Sequence, residues 1–235
     1  MAEGIKRRTY GHACEIARAL DVVGERWTLL LVRELFTGTR TYGQLPRALP
    51  GIGTNLLADR LKQLEADGLV EKIPLPGGPG RSTYQLTAFG LKLEPVLVEL
   101  VRFGSNLGTP DGHGEFYRPT WAVLASKAAF RHEIAAGLTE RYEFRVDDDV
   151  FYLGVRDGRP DNGTGHAQNP VVVAEMTGET FANVRHGRIT MSQGVWTGDI
   201  RIVEGFAAAL DRCEQIFGGR TDPLHGHEQA AGYSR

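Results

Sequence analysis

LPGIGTNLLADRLKQLEADGLVEKI, residues 49–73, runs from a turn through a helix into a strand. Pro50 cannot continue a helix, and Gly51 and Gly53 open backbone conformations closed to other residues, so residues 49–53 read as a break. Thr54 stands where a helix N-cap is expected, its hydroxyl able to accept a bond from a free first-turn amide. In the helix it opens, Leu57, Leu61 and Leu64 share one face, and Gly68 ends it. Upstream, Thr41–Ala48 puts Tyr42, Leu45 and Ala48 at helical spacing, while Trp27–Phe36 is apolar nearly all round, the mark of a buried central helix. Cys14–Leu20 places Ile16, Ala17 and Leu20 on one face of a first helix. Beyond Gly68 the period becomes two. Leu69–Ile73 and Ser82–Thr87 read as strands, joined by the loop PLPGGPGR at 74–81. A last helix, Ala88–Phe103, repeats Leu91, Leu93, Val96, Leu97, Leu100 and Val101.

Two helices across a short glycine turn, followed by a hairpin, are the order of a winged helix-turn-helix. The major groove of B-DNA admits one helix, and its base edges carry a pattern of donors and acceptors. With the leucine stripe anchoring the second helix, Thr54, Asn55, Ala58, Asp59 and Lys62 lie around its outer face. Asn55 can pair bidentately with adenine, and the amino end of the helix can meet a phosphate. Arg81 ends the hairpin loop, placed for a minor groove or the backbone, and Arg40 precedes the first helix of the motif, placed for a phosphate. Taken singly, Asn55 reads equally as a solvated surface residue and Arg81 as an ordinary loop residue. Asp59 repels phosphate unless it accepts from cytosine or pairs with Arg60 or Lys62. The order of elements, not one side chain, points to DNA.

The run CEIARALDVVGERWTLLLVREL from Cys14, with Leu49–Ile52, Leu57–Leu61, Leu64–Val70 and Tyr84–Gly90, resembles the signature of the HxlR-type winged-helix regulators over residues 12–104. The resemblance implies a homodimer whose first and last helices form much of the interface. It also implies a pseudo-palindromic double-stranded DNA operator, the protein two-fold matching two half-sites. It places Cys14 where some members carry a redox-sensing thiol. Such a thiol needs exposure and nearby positive charge. Arg18, one turn on, helps; Glu15 works the other way, and a free Cys at a helix start reads equally as a small apolar residue. Cys213, beside Arg212 and Glu214, is a weaker candidate.

Composition bounds these readings. With 41% hydrophobic and 24% charged residues in 235, the chain has core enough for one large domain or two small ones without metals or disulfides. Cys14 and Cys213 make no disulfide framework, so a reducing cytoplasm is expected. MAEGIKRRTY lacks the apolar run of a secretory signal, and no stretch reaches the roughly 18 apolar residues of a membrane span. Residues 1–105 carry 14 Lys/Arg against 11 Asp/Glu, and residues 106–235 carry 13 against 18. The basic half suits a polyanion and the acidic half does not. GSNLGTPDGHGEFYRPT, residues 104–120, reads as a linker. The expected division is 1–104 winged helix-turn-helix, 105–119 linker, 120–217 an α+β domain for ligand or dimerisation, and 218–235 a flexible tail.

In the second domain, Trp121, Leu124, Ala128, Ile134 and Leu138 suggest one or two helices between Pro119 and Arg141. Tyr142–Val146 and Val150–Val155 read as strands turning at Asp147–Asp149, before a polar loop at 156–169. Val171–Met176 reads as a strand, Thr177–Arg185 as a short helix, Ile189–Met191 and Val195–Ile200 as strands, and Ile202–Phe217 as an amphipathic helix. This order, with the Pro170–Ala174 strand, Thr180-Phe181, Gly187 and Gly198-Asp199, resembles the sterol carrier protein type-2 fold. The expected class is therefore α+β, an N-terminal winged helix-turn-helix followed by an α+β sterol-carrier-like domain. The resemblance implies a pocket for a hydrophobic small molecule. Candidate walls are Trp121, Leu124, Phe130, Phe144, Phe151, Val172, Met176, Phe181, Met191, Trp196 and Phe206, each of which reads equally as ordinary core.

No catalytic constellation emerges. His166 and His186 lie near acids without a Ser or Cys nucleophile at a working spacing. His225-Gly-His227 lacks further metal ligands, and PGGPGR lacks the Lys-Ser/Thr of a P-loop. No enzyme activity, metal or cofactor is expected. The expectation is a cytoplasmic, dimeric, sequence-specific transcription regulator answering to an apolar effector. Its partners are an operator duplex, a second copy and a hydrophobic small molecule, with no membrane. Two alternatives stay open: redox sensing through Cys14, and a lipid-binding carrier with an appended helical interaction domain.

Overall fold

The computed structural model describes residues 9–75, 81–107 and 117–218. Contacts divide the chain into two units, Met1–Leu97 and Val98–Arg235. The first contains α1 (Glu15–Val23), α2 (Thr28–Phe36), β1 (Arg40–Thr41), a 3-10 turn over Tyr42–Gln44, α3 (Leu45–Ala48), α4 (Thr54–Ala66), β2 (Val70–Pro74) and β3 (Ser82–Leu86). A second 3-10 turn, Gly90–Leu93, leads into α5 (Glu94–Ser105). As its composition requires, α2 is the buried centre: Thr28, Leu31, Val32, Glu34 and Leu35 are all inside. Glu34, buried among them, accepts from the Arg33 guanidinium at 2.9 Å.

The helix expected over 41–48 is two pieces. Thr41 and Gln44 form a capping box that starts a tight 3-10 turn, and α3 follows only from Leu45. The sheet has a strand more than expected. Its order is β1-β3-β2, with Arg40 opposite Tyr84 on one side of β3 and Val70 opposite Leu86 on the other. The two units meet in sequence inside α5, earlier than the linker expected at 105–119, because Arg102 near its end donates to the Ala128 carbonyl at 3.1 Å. Residues 108–116, most of that linker, lie outside the described residues, as do the wing-loop residues 76–80 and the tail 219–235 with His225 and His227.

The second unit is a mixed α+β layer. After a 3-10 turn at Pro119–Trp121 come α6 (Ala122–Ala128), α7 (His132–Ala135), β4 (Glu140–Val146), β5 (Asp149–Arg156), β6 (Arg159–Pro160) and β7 (Gly163–Thr164). Then follow β8 (Val172–Met176), α8 (Gly178–Arg185), α9 (Met191–Thr197), β9 (Ile200–Gly205) and α10 (Ala207–Phe217). The sheet order is β6-β5-β4-β8-β9, with β7 also on β5; β8 runs parallel to β4 and the remaining pairs are antiparallel. Strand alternation divides the two faces. Tyr142, Phe144, Val146, Phe151, Leu153, Val172, Ala174 and Met176 point into one core with α10. The opposite face carries charge, with Arg145 bonded to Glu143 at 2.9 Å and Arg201 to Glu175 at 2.5 Å.

Several expectations fail here. Ile189–Met191 and Val195–Ile200 are not strands. Thr190 and Gln193 make a capping box that opens α9, and Gly198, at φ +83°, closes it. The final helix begins at Ala207, not Ile202, because β9 claims residues 200–205. Gly205 ends that strand at φ +86°, so close to the Val171 carbonyl oxygen that a Cβ would lie 2.1 Å from it. The loop expected at 156–169 contains the short strands β6 and β7.

Candidate nucleic-acid interface

Gly53, in extended conformation, is the N-cap of α4, and Thr54 is its first helical residue. This corrects the capping role expected of Thr54, whose side chain is instead exposed. The Tyr42 hydroxyl donates to the Thr54 carbonyl at 2.9 Å and ties the start of α4 to the turn before α3. Leu57, Leu61 and Leu64 are buried, and Thr54, Asn55, Ala58, Asp59 and Lys62 are exposed. At 100° per residue those five lie on one side of the helix. Among the described residues Asp59 has no ion pair. The partner suggested for it, Arg60, binds Glu25 across the fold at 2.7 Å.

Arg40 is half-buried and bonded within its own turn. Its guanidinium turns inward, donating to the Thr37 hydroxyl at 2.7 Å and to the Thr37 and Thr39 carbonyls at 3.3 and 3.1 Å. These bonds tie Arg40 to the C-cap residue of α2 and to the turn beyond it. Arg81 is exposed, and its carbonyl accepts from the Leu75 amide at 2.9 Å, which closes the base of the wing. Sequence reasoning passed over Arg47, an exposed cation on α3. Its place between the buried Leu45 and Ala48 was the available signal.

A helix held by a leucine stripe, reached from a shorter helix across a turn and followed by a hairpin whose second strand also pairs with the short β1, defines a winged helix-turn-helix unit. Residues 22–111 match the model of the HxlR-like helix-turn-helix family. An HTH-type transcriptional regulator of Synechocystis is 43% identical over 96 residues, which is 41% of this chain and 71% of that protein. One from Mycobacterium tuberculosis H37Rv is 44% identical over 98 residues, covering 41% of this chain and 61% of its own. The crystal structure of a MarR-family transcriptional regulator from Porphyromonas gingivalis W83 aligns with 42% of this chain and 96% of its own, at 35% identity and a TM-score of 0.38. The chain belongs to the HxlR-like helix-turn-helix family.

In the second unit the structure gathers most of the suggested apolar walls. The rings of Phe144 and Phe151 stack at 5.4 Å, and Phe181 meets Phe151 edge-on at 5.5 Å. Val172, Met176 and Met191 share that core, and Phe130 packs against it. Leu124 is buried as well, and Trp121 is half-buried with Tyr117 edge-on at 5.7 Å. Trp196 and Phe206 do not join them; they are 88% and 79% exposed. Trp196 stands on the outer side of α9, where a strand had been expected, and Phe206 is the residue that caps α10.

The remaining candidates divide by burial. Cys14, the N-cap of α1, is exposed, and the amides of Ala17 and Ile16 hold its thiol below the ordinary value. Burial pushes the Cys213 thiol well up, with Glu214 and Glu140 adding to it, so it is inert. His166 serves Glu143. Burial works to raise that carboxyl, but bonds from His166 at 3.0 Å, the Ala167 amide at 2.9 Å and Arg145 at 2.9 Å bring it below its ordinary value. Among the described residues no group of three or more His, Cys, Asp or Glu is placed to hold a metal ion, and no helix is long and apolar enough to cross a membrane.

Proposed function

We propose that this chain is a dimeric, sequence-specific DNA-binding transcription regulator whose second unit receives an apolar small molecule. The observation that carries the reading is the outer row of α4, Thr54, Asn55, Ala58, Asp59 and Lys62, all exposed beside a buried leucine stripe. Asn55 reads an adenine edge, and Arg47 and Arg81 hold phosphates on either side. Dimerisation is supported by apolar side chains left uncovered by the chain itself. Ile16 and Leu20 on α1 and Val96, Leu100 and Phe103 on α5 are all exposed, the kind of surface that marks an interface. The effector reading is supported by the aromatic core of the second unit, where Phe144, Phe151 and Phe181 of the suggested walls meet.

The test is binding to the gene's own upstream DNA, and to a duplex pool selected from random sequence, at several salt concentrations. Affinity that falls steeply with salt, and weakens in Asn55→Ala/Arg81→Ala, is the expected result. Absence of any sequence preference refutes it. A second reading, redox control, is favoured by the exposed and acidified Cys14 thiol. Under it, diamide releases the wild type from DNA and leaves Cys14→Ser bound. Equal responses of the two proteins exclude it.

A further inference from the structure

The four residues between α1 and α2 touch the α4 region in two places. Gly24 ends α1 with its amide on the Leu20 carbonyl at 2.8 Å, and an added Cβ would lie 2.5 Å from that oxygen. Trp27 starts α2 in a left-handed conformation, φ +78°, which is costly for a bulky side chain and persists only where its surroundings impose it. Its ring reaches the turn before α4, 3.8 Å from where a Cβ on Gly51 would stand, and the Arg26 guanidinium lies over it at 5.5 Å. The second touch is on α4 itself. Arg60 donates from Nη2 to Glu25 Oε2 at 2.7 Å and from Nε to the Arg26 carbonyl at 3.3 Å.

We infer that Arg60 is a positioning residue: held by Glu25 and the Arg26 carbonyl, it sets the roll of α4 and so the aim of Asn55 and Lys62, without touching DNA itself. The inference rests on the reading of α4 as the DNA-facing helix. Arg60 follows Asp59 in sequence, yet its side chain is only 17% exposed and directed back to the α1–α2 turn. The leucine stripe anchors one face of α4, and Arg60 adds a polar anchor beside it, out from the helix axis. With side chains reaching about 5–6 Å from that axis, a roll of about 10° moves their tips by about 1 Å. That exceeds the roughly 0.5 Å within which a recognition constellation must be held. A fork bonded to a carboxylate and a carbonyl at once fixes such a rotation where a single-point contact would not.

The experiment measures affinity of the full chain for a duplex selected from random sequence by the wild type, and for its shuffled version, across salt. The proteins are wild type, Arg60→Gln, Glu25→Gln, the double variant, and the exchanged pair Glu25→Arg/Arg60→Glu. Each single change is expected to weaken the selected duplex about tenfold, the double to fall no further, and the exchanged pair to recover part of the loss, as for partners in one contact. Affinity for shuffled DNA and the salt slope stay unchanged. If Arg60→Gln weakens both duplexes equally and lowers the salt slope by about one, Arg60 is a phosphate contact and the inference fails. It also fails if Glu25→Gln has no effect, or if the losses track a lowered melting temperature. Should the wild type itself select no sequence, the DNA reading fails first and this inference with it.

Discussion

Replacing Ile16 by alanine tests the dimer face with a magnitude fixed by the structure. Ile16 lies on α1 with 72% of its surface uncovered by its own chain. The substitution removes three carbons, each worth about 0.8 kcal/mol when fully buried, so covering that fraction contributes about 1.7 kcal/mol per copy. In a two-fold interface the residue acts twice, giving about 3.5 kcal/mol, or a dimer dissociation constant raised about 300-fold. The monomer has little to lose. The side chain is already exposed and alanine is the better helix former, so its folding free energy should move by no more than about 0.5 kcal/mol. Sedimentation equilibrium over a concentration series reads the first quantity, and urea denaturation at a concentration where the chain is monomeric reads the second. An unchanged dissociation constant, or a stability loss of 2 kcal/mol or more (about the full burial value), shows that something other than a second copy meets this face of α1.

Asp59→Asn should tighten DNA binding several-fold, more at low salt than at high, because it removes an exposed negative charge from the row proposed to face DNA. Fluorescence anisotropy at two salt concentrations decides it, and a weakening confined to one base pair would show instead that Asp59 accepts from cytosine. Phe181→Ala should cost about 3–5 kcal/mol of stability, since its buried ring meets Phe144, Phe151 and Tyr117; chemical denaturation measures it. The Glu143 carboxyl sits below its ordinary value in the folded chain. Its contribution is therefore complete above the unfolded value near 4.5 and is lost as pH falls through the lower folded value. Glu143→Gln should flatten the acid limb of melting temperature against pH below that point, and an identical limb in both proteins would remove Glu143 as its source.

What could be read in advance follows the range of the interaction that produced it. The Leu57, Leu61 and Leu64 stripe is written at helical period because each residue meets the same core, and it placed the outer row of α4 correctly. The Ile16 and Leu20 face was visible for the same reason, but spacing tells only that a face is apolar, not what covers it. Among the described residues both are exposed. At α9 the local signals pointed the right way, with Thr190, Gln193 and Gly198 as cap, box and stop; the β-branched and aromatic pair Val195-Trp196 outweighed them in a reading by strand propensity. The bonds of Arg40 to the Thr37 and Thr39 carbonyls could not be read in advance, because they depend on where α2 ends and how the chain turns beyond it. Arg60 and Glu25 are 35 positions apart. A bond of that kind leaves no mark in local spacing, so the roll of a recognition helix is the part of such a site that a sequence conceals most completely.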